Sequence, residues 1–182
     1  MKRVLVPLAP GFEEIEAVTV IDILRRAEIE VVVAGIEEGP IRASRGVTIV
    51  PDTVLEKVQN EVFDMIVLPG GLAGTERLKT DARVKRLIEA GVRNKKFTAA
   101  ICAAPAILSE MGMIEGKRVT SHPSVKSRVR GGTYSDERVV IDGLVVTSRA
   151  PGTAMEFALK LVELLAGPEK VELVNQGVLA QI

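Results

Sequence analysis

Short apolar runs alternate with amphipathic stretches along the chain. Residues 3–8 (Arg-Val-Leu-Val-Pro-Leu) read as a strand. Residues 13–27 read as a helix, with Ile15, Val18, Ile21 and Leu24 at roughly helical spacing. Glu13 and Glu14 open it and Arg25 and Arg26 close it, as the helix dipole favours. Val31-Val32-Val33-Ala34 is a continuous, mostly β-branched run, typical of a strand buried on both faces. Residues 41–50 suit a hairpin about Ser44-Arg45-Gly46, and 63–68 form another buried strand, stopped by Pro69-Gly70-Gly71. A helix over 81–93 is capped by Asp81 or Thr80. Residues 97–101 make a strand that runs into Cys102, and 104–112 look helical, ending at Gly112. A short strand covers 118–120. Asp142-Gly143 suits a tight turn between strands at 139–141 and 144–147. A helix follows Pro151-Gly152-Thr153 to about Leu165, with Thr153 as N-cap and Glu156 at the capping-box position. A last short helix spans 169–180.

Strands alternating with helices predict an α/β fold: a doubly wound, mostly parallel sheet with helices on both faces. No linker or repeat divides the chain, so residues 1–182 are expected to form one domain. In such sheets ligands bind outside the carboxyl ends of the strands. That rule singles out three loops: Ala9–Glu16, Leu68–Thr75 and Cys102–Pro105.

Composition narrows the function classes. Lys+Arg and Asp+Glu both number 24, and aromatics are 3 % with no Trp. Neither a field nor a stacking platform for sequence-specific nucleic-acid binding is expected. No run of about 18 apolar residues is present to cross a membrane. Glu13, Glu14 and Glu16 follow the short apolar start at once, unlike a signal peptide. The single cysteine rules out an internal disulfide and a Cys-clustered metal site, and a lone thiol points to a reducing cytoplasm.

That cysteine sits in Ala100-Ile101-Cys102-Ala103-Ala104. A nucleophile elbow requires small residues two before and two after the nucleophile, because the turn is sharp. Unpaired N–H groups at the start of the next helix would lower the thiol pKa. Free cysteines are also commonly buried and inert, and the residues alone leave both readings open. Gly70-Gly71 would let backbone N–H groups approach a ligand closely. One of these, with the N–H of Ala103, could stabilise an oxyanion formed on attack by Cys102. Glu13, Glu14 and Glu16 are either solvated residues that stabilise the dipole, or one of them points into the crevice. A carboxyl beside the sulfur would have a raised pKa and could shuttle a proton. His122, the only histidine, could act as a base near neutrality or serve structurally.

Together these segments resemble the ThiJ/PfpI (DJ-one) superfamily, in its glyoxalase/deglycase branch, that of the Parkinson-disease-associated protein. The similarity runs through 5–18, 22–27, Ser44-Arg45, 64–71, 99–105, 120–123 and 147–157. It implies a flavodoxin-like sandwich, usually a homodimer. It places Cys102 on the family's oxidation-prone nucleophile, Glu16 on the glutamate whose protonated carboxyl touches that sulfur, and His122 on the nearby histidine. Gly71 and Ala103 fall on backbone donors around the sulfur, with Gly70 beside them. Arg45 and Arg26 resemble arginines that frame an anion site at the pocket and dimer interface. The resemblance implies conversion of methylglyoxal or glyoxal, or release of their glycated adducts, to hydroxy acids without a cofactor. Redox sensing through a sulfinate and chaperone behaviour are its other implied roles. A cysteine peptidase is disfavoured, since Ala103 stands where that branch has histidine.

Overall fold

The computed structural model describes residues 1–181. Its strands are β1 (Arg3–Leu8), β2 (Glu30–Gly35), β3 (Ile41–Arg42), β4 (Thr48–Ile49), β5 (Thr53–Val54), β6 (Met65–Leu68), β7 (Phe97–Ile101), β8 (Arg118–Val119), β9 (Thr133–Tyr134), β10 (Val139–Asp142) and β11 (Val145–Ser148). Its helices are α1 (Glu14–Arg26), α2 (Leu55–Val58), α3 (Leu72–Thr80), α4 (Ala82–Arg93), α5 (Pro105–Glu110), α6 (Ala154–Ala166) and α7 (Pro168–Val178). Short 3₁₀ turns cover Pro123–Arg128 and Pro151–Thr153.

Seven strands form the central sheet in the order β10-β11-β7-β6-β1-β2-β5. Every neighbouring pair is parallel except the β10–β11 hairpin. This is the expected α/β flavodoxin-like arrangement. Alternation along β1 shows how the two layers form. Val4, Val6 and Leu8 face α1 and α6, whereas Leu5 joins the cluster with Leu55, Leu87 and Ile107 on the other side. The expected hairpin at 41–50 is present as a separate two-stranded sheet, β3–β4. The short strand at 118–119 pairs with β9 and does not join the main sheet.

Helix α1 corrects the predicted apolar stripe. Ala17, Val20, Ile23 and Leu24 are the buried face, while Ile15 and Val18 are 55 % and 45 % exposed. The helix has apolar residues on two sides, and the core takes the side of Ala17, Val20, Ile23 and Leu24. Thr153 also departs from its expected cap role. Its Oγ1 lies 2.7 Å from Ser148 Oγ and donates to Ala150 O, and Glu156 pairs with Arg138 instead of closing a capping box.

Asp81 does cap α4, its Oδ1 accepting the Arg83 N–H at 2.8 Å. Asp81→Ala is expected to lower unfolding free energy by about 1–2 kcal/mol in urea denaturation. An unchanged midpoint would remove the cap from the account of α4.

Candidate active site

Chain order reverses direction across the sheet between β1 and β6, which leaves a crevice at their carboxyl ends. Three segments meet there: the start of α1 after β1, Gly70-Gly71 after β6, and Cys102 after β7. Cys102 adopts φ 65°, a left-handed conformation that costs an L-residue roughly 1–2 kcal/mol. Two hydrogen bonds hold it. Its N–H donates to Ser148 O at 2.9 Å, and its carbonyl accepts the His122 N–H at 2.8 Å. Ala100 and Ala104 are fully buried against the turn, so the elbow geometry expected from these small residues is present.

The Cys102 sulfur is met by the N–H groups of Gly71 and Ala103 and by the Glu16 carboxyl. Glu16 is wholly buried. Its Oε2 accepts the Gly70 N–H at 2.7 Å, and its buried Oε1 has no hydrogen-bond partner among the described residues. Burial is the main reason its pKa rises from an ordinary 4.5 to about 7, against the lowering bonds from Cys102 and Gly70. The thiol is also pushed up, first by burial and then by the Glu16 charge and hydrogen bond. The N–H groups of Gly71 and Ala103 pull the other way, as expected of donors at the start of a helix, against burial and the facing carboxyl. Cys102 and Glu16 therefore titrate as a pair. Above about pH 7 the pair keeps one proton and one negative charge between the two groups.

The three glutamates of α1 divide three tasks. Glu13 caps the helix by accepting the Glu16 N–H at 2.9 Å. Glu14 accepts Ser44 Oγ–H at 2.9 Å and the Arg45 N–H at 2.8 Å, and so fastens the β3–β4 hairpin beside the crevice. Glu16 alone faces the sulfur.

Gly70 does not supply an oxyanion donor, as its N–H is committed to Glu16 and its carbonyl accepts the Glu13 N–H at 3.0 Å. A methyl group there would sit 2.6 Å from Glu16 Oε2 and 2.7 Å from Cys102 Cβ. Gly70→Ala is thus expected to wedge the pair apart and slow iodoacetamide labelling of Cys102 at pH 8 about tenfold or more. Unaltered labelling in a folded variant would mean that the contact does not govern the sulfur. Gly71 is needed for another reason. Its φ is 85°, and a methyl group would collide with Gly11 O.

His122 reaches the crevice, but its wiring differs from that of a base. Nδ1 accepts the Ser124 N–H at 3.2 Å and lies 2.7 Å from Ser124 Oγ. With Nδ1 accepting, the neutral ring carries its proton on Nε2 and presents a donor. Arg45 lines the crevice; Arg26 does not. Arg26 stands at the far end of α1 and forms an ion pair with Asp22 at 2.8 Å.

The crevice encloses about 830 Å³. Pro10, Ile15 and Leu72 line it from two of the expected loops, and Arg42, Ser124 and Pro151 join them from segments not singled out in the sequence. Ser124 was signalled by its place two residues after His122. The others come together only through the tertiary fold. Among the described residues no three His, Cys, Asp or Glu side chains converge as a metal site would require. No described helix is long and apolar enough to cross a membrane.

Residues 2–164 match the DJ-1/PfpI family model. The glutathione-independent glyoxalase DJR-1.2 of Caenorhabditis elegans is 41 % identical over 172 residues, covering 93 % of this chain and 91 % of the relative. The crystal structure of Drosophila melanogaster DJ-1beta superimposes with a TM-score of 0.96 at 47 % identity, covering 100 % of this chain and 99 % of the other. Oxidized Toxoplasma gondii DJ-1 gives a TM-score of 0.96 at 38 % identity, covering 100 % of both chains.

Proposed function

As the chain belongs to the DJ-1/PfpI family, we propose that it is a cofactor-independent enzyme that converts methylglyoxal or glyoxal, or their early adducts, to hydroxy acids. The observation that carries this reading is the buried contact between the Glu16 carboxyl and the Cys102 sulfur at the floor of an open crevice.

With methylglyoxal, the sulfur bonds to the aldehyde carbon. The thiol proton passes by way of Glu16 to the aldehyde oxygen, giving a hemithioacetal. The Glu16 carboxylate then removes the proton from that carbon. The electron pair moves into an enediolate, the hydroxyl proton passes from the first oxygen to the second, and Glu16 returns its proton to the neighbouring carbon. The product is a lactoyl thioester on Cys102. Water cleaves the carbon–sulfur bond to release lactate and the thiol, so the net change is addition of one water. The Gly71 and Ala103 N–H groups stabilise charge on the sulfur as it attacks and leaves. Nε2–H of His122 donates toward substrate oxygen. The family resemblance puts the shared proton on the carboxyl; thiolate with acid and thiol with carboxylate are two forms of the same singly protonated pair.

Purified protein free of glutathione and metal should produce lactate from methylglyoxal. Consumption of methylglyoxal without lactate would overturn the proposal and leave simple adduct formation.

The same thiol favours a second role, oxidation to sulfenate and then sulfinate, with Glu16 donating to the sulfinate when protonated. Mild peroxide should modify Cys102 before the methionines; the reverse order removes this role. The exposed Ile15, at the crevice, and Val18, on the same helix, support a homodimer in solution, which sedimentation would test.

A further inference from the structure

The opposite end of the sheet carries a second hollow. Lys96 precedes β7 and Cys102 follows it, so the two residues are about 20 Å apart along the strand. There the end of α4, the turn after α5 and the β10–β11 turn enclose a slot of about 390 Å³. Val92, Met113, Leu144 and Val145 give it apolar walls, and Lys96 and Lys117 stand at its edges. Val92 and Leu144 are 51 % and 38 % exposed, so the slot opens to solvent. Thr98 contributes to the floor, and its buried Oγ1 has no hydrogen-bond partner. Val92 and Met113 also border an adjoining hollow that adds Met111, Lys85 and Arg93, with Glu89 as its acid.

Each lysine at the slot is paired with one carboxylate. Lys96 Nζ lies 2.9 Å from Asp64 Oδ1, and Lys117 Nζ lies 3.6 Å from Asp142 Oδ1. Each ammonium carries three donors, so one carboxylate leaves hydrogen-bonding capacity for a second. Lys85 and Arg93 form no ion pair among the described residues. The volume falls in the lower part of the ~300–1,000 Å³ range of small-molecule pockets, room for an apolar body of about eight carbons. Methionine thioethers on the wall adapt to such a body.

We infer that this slot binds a small amphiphilic carboxylate, its apolar body between Val92, Met113 and Leu144 and its carboxylate at Lys96 and Lys117. The site is separate from Cys102 and stands whether or not the aldehyde chemistry is correct. The sulfur does not reach it.

Methionine methyl NMR can test this inference, because Met111 and Met113 border the hollows while Met65 and Met155 lie elsewhere. Octanoate should shift the Met113 methyl saturably, with a dissociation constant below about 1 mM, and leave Met65 and Met155 in place. Hexanoate should bind about tenfold more weakly, having two fewer methylenes to bury. Octanol should be at least about fivefold weaker, since it lacks the charge. Lys117→Glu should weaken octanoate about tenfold, and Leu144→Asp, at an exposed turn position, should weaken it similarly. The inference is overturned if no saturation is seen by about 10 mM, if octanol equals octanoate, or if Met155 responds as strongly as Met113.

Discussion

Cys102→Ala is expected to produce no lactate from methylglyoxal above the rate without protein. The sulfur is the nucleophile of the proposed sequence, and no second cysteine is present to replace it. Glu16 would keep its Gly70 hydrogen bond and the crevice its lining, yet no carbon–sulfur bond could form. Removing a nucleophile that acts with its base commonly costs several orders of magnitude, because the remaining parts have no covalent step to assist. The elbow should survive, since both backbone bonds at residue 102 remain available and alanine has no greater difficulty with φ 65° than cysteine. Circular dichroism and unfolding midpoints should therefore match wild type within about 1 kcal/mol. Equal lactate production by the folded variant and wild type would end the proposal.

Glu16→Gln separates the proton carrier from the nucleophile, and two readouts should move in opposite directions. Lactate production at pH 8 should fall by roughly 10²–10⁴-fold, the usual range for loss of a positioned acid–base group. The wild-type rate should rise with pH through about 7, as Glu16 becomes able to accept the thiol proton. The variant should lack that rise. Its residual rate should increase only where the buried thiol itself ionises, above the ordinary thiol range. A variant that kept the rise near 7 would place that titration on another group.

Stability should show the opposite sign. The native state holds the Glu16 proton up to about pH 7, while an unfolded glutamate releases it near 4.5. Between those values the native state binds more protons, so the Glu16 contribution to stability declines as pH rises. The full difference is on the order of 3 kcal/mol. Glutamine does not titrate, and its carbonyl can still accept the Gly70 N–H. Glu16→Gln should thus be nearly as stable as wild type at pH 4 and about 3 kcal/mol more stable at pH 8. An offset that is the same at both pH values would show that burial does not oppose ionisation of this carboxyl.

The main strands were legible because continuous apolar runs bounded by turn residues have few alternatives. Helix α3 was not. Leu72 and Leu78 are too sparse to show a period, and Gly74 reads as a breaker. In the fold Gly74 is an approach point, where a methyl group would lie 2.7 Å from Phe12 N. The strands β5 and β9 have two residues each and carry no pattern. On α1 the sequence offered two apolar sides and gave no local reason to choose between them. At the site, Cys102 could be read from the small residues around it. Glu16 could not be separated from Glu13 and Glu14 by pattern, and only the family resemblance pointed to it. Arg26 shows the reverse limit, as the resemblance carried it to a pocket that this chain alone does not extend to. Burial and the facing carboxyl also act on the thiol, and neither is legible in the local sequence because both depend on the tertiary fold.

The first turn of α1 also restricts how the gene can change in length. Glu13, Glu14 and Glu16 are fixed to three different neighbours, and each residue in a helix turns the next by about 100°. Losing or gaining one codon between Glu13 and Glu16 would rotate the carboxyl away from the sulfur and misalign the hairpin tie in the same event. Substitutions can alter these contacts one at a time, but a frame-preserving deletion cannot. Deletion scanning should consequently show an intolerant window that begins at residue 13 and runs on through α1 and β2, whose buried faces also depend on register, with a more permissive stretch only at 37–39, where the chain is exposed and irregular.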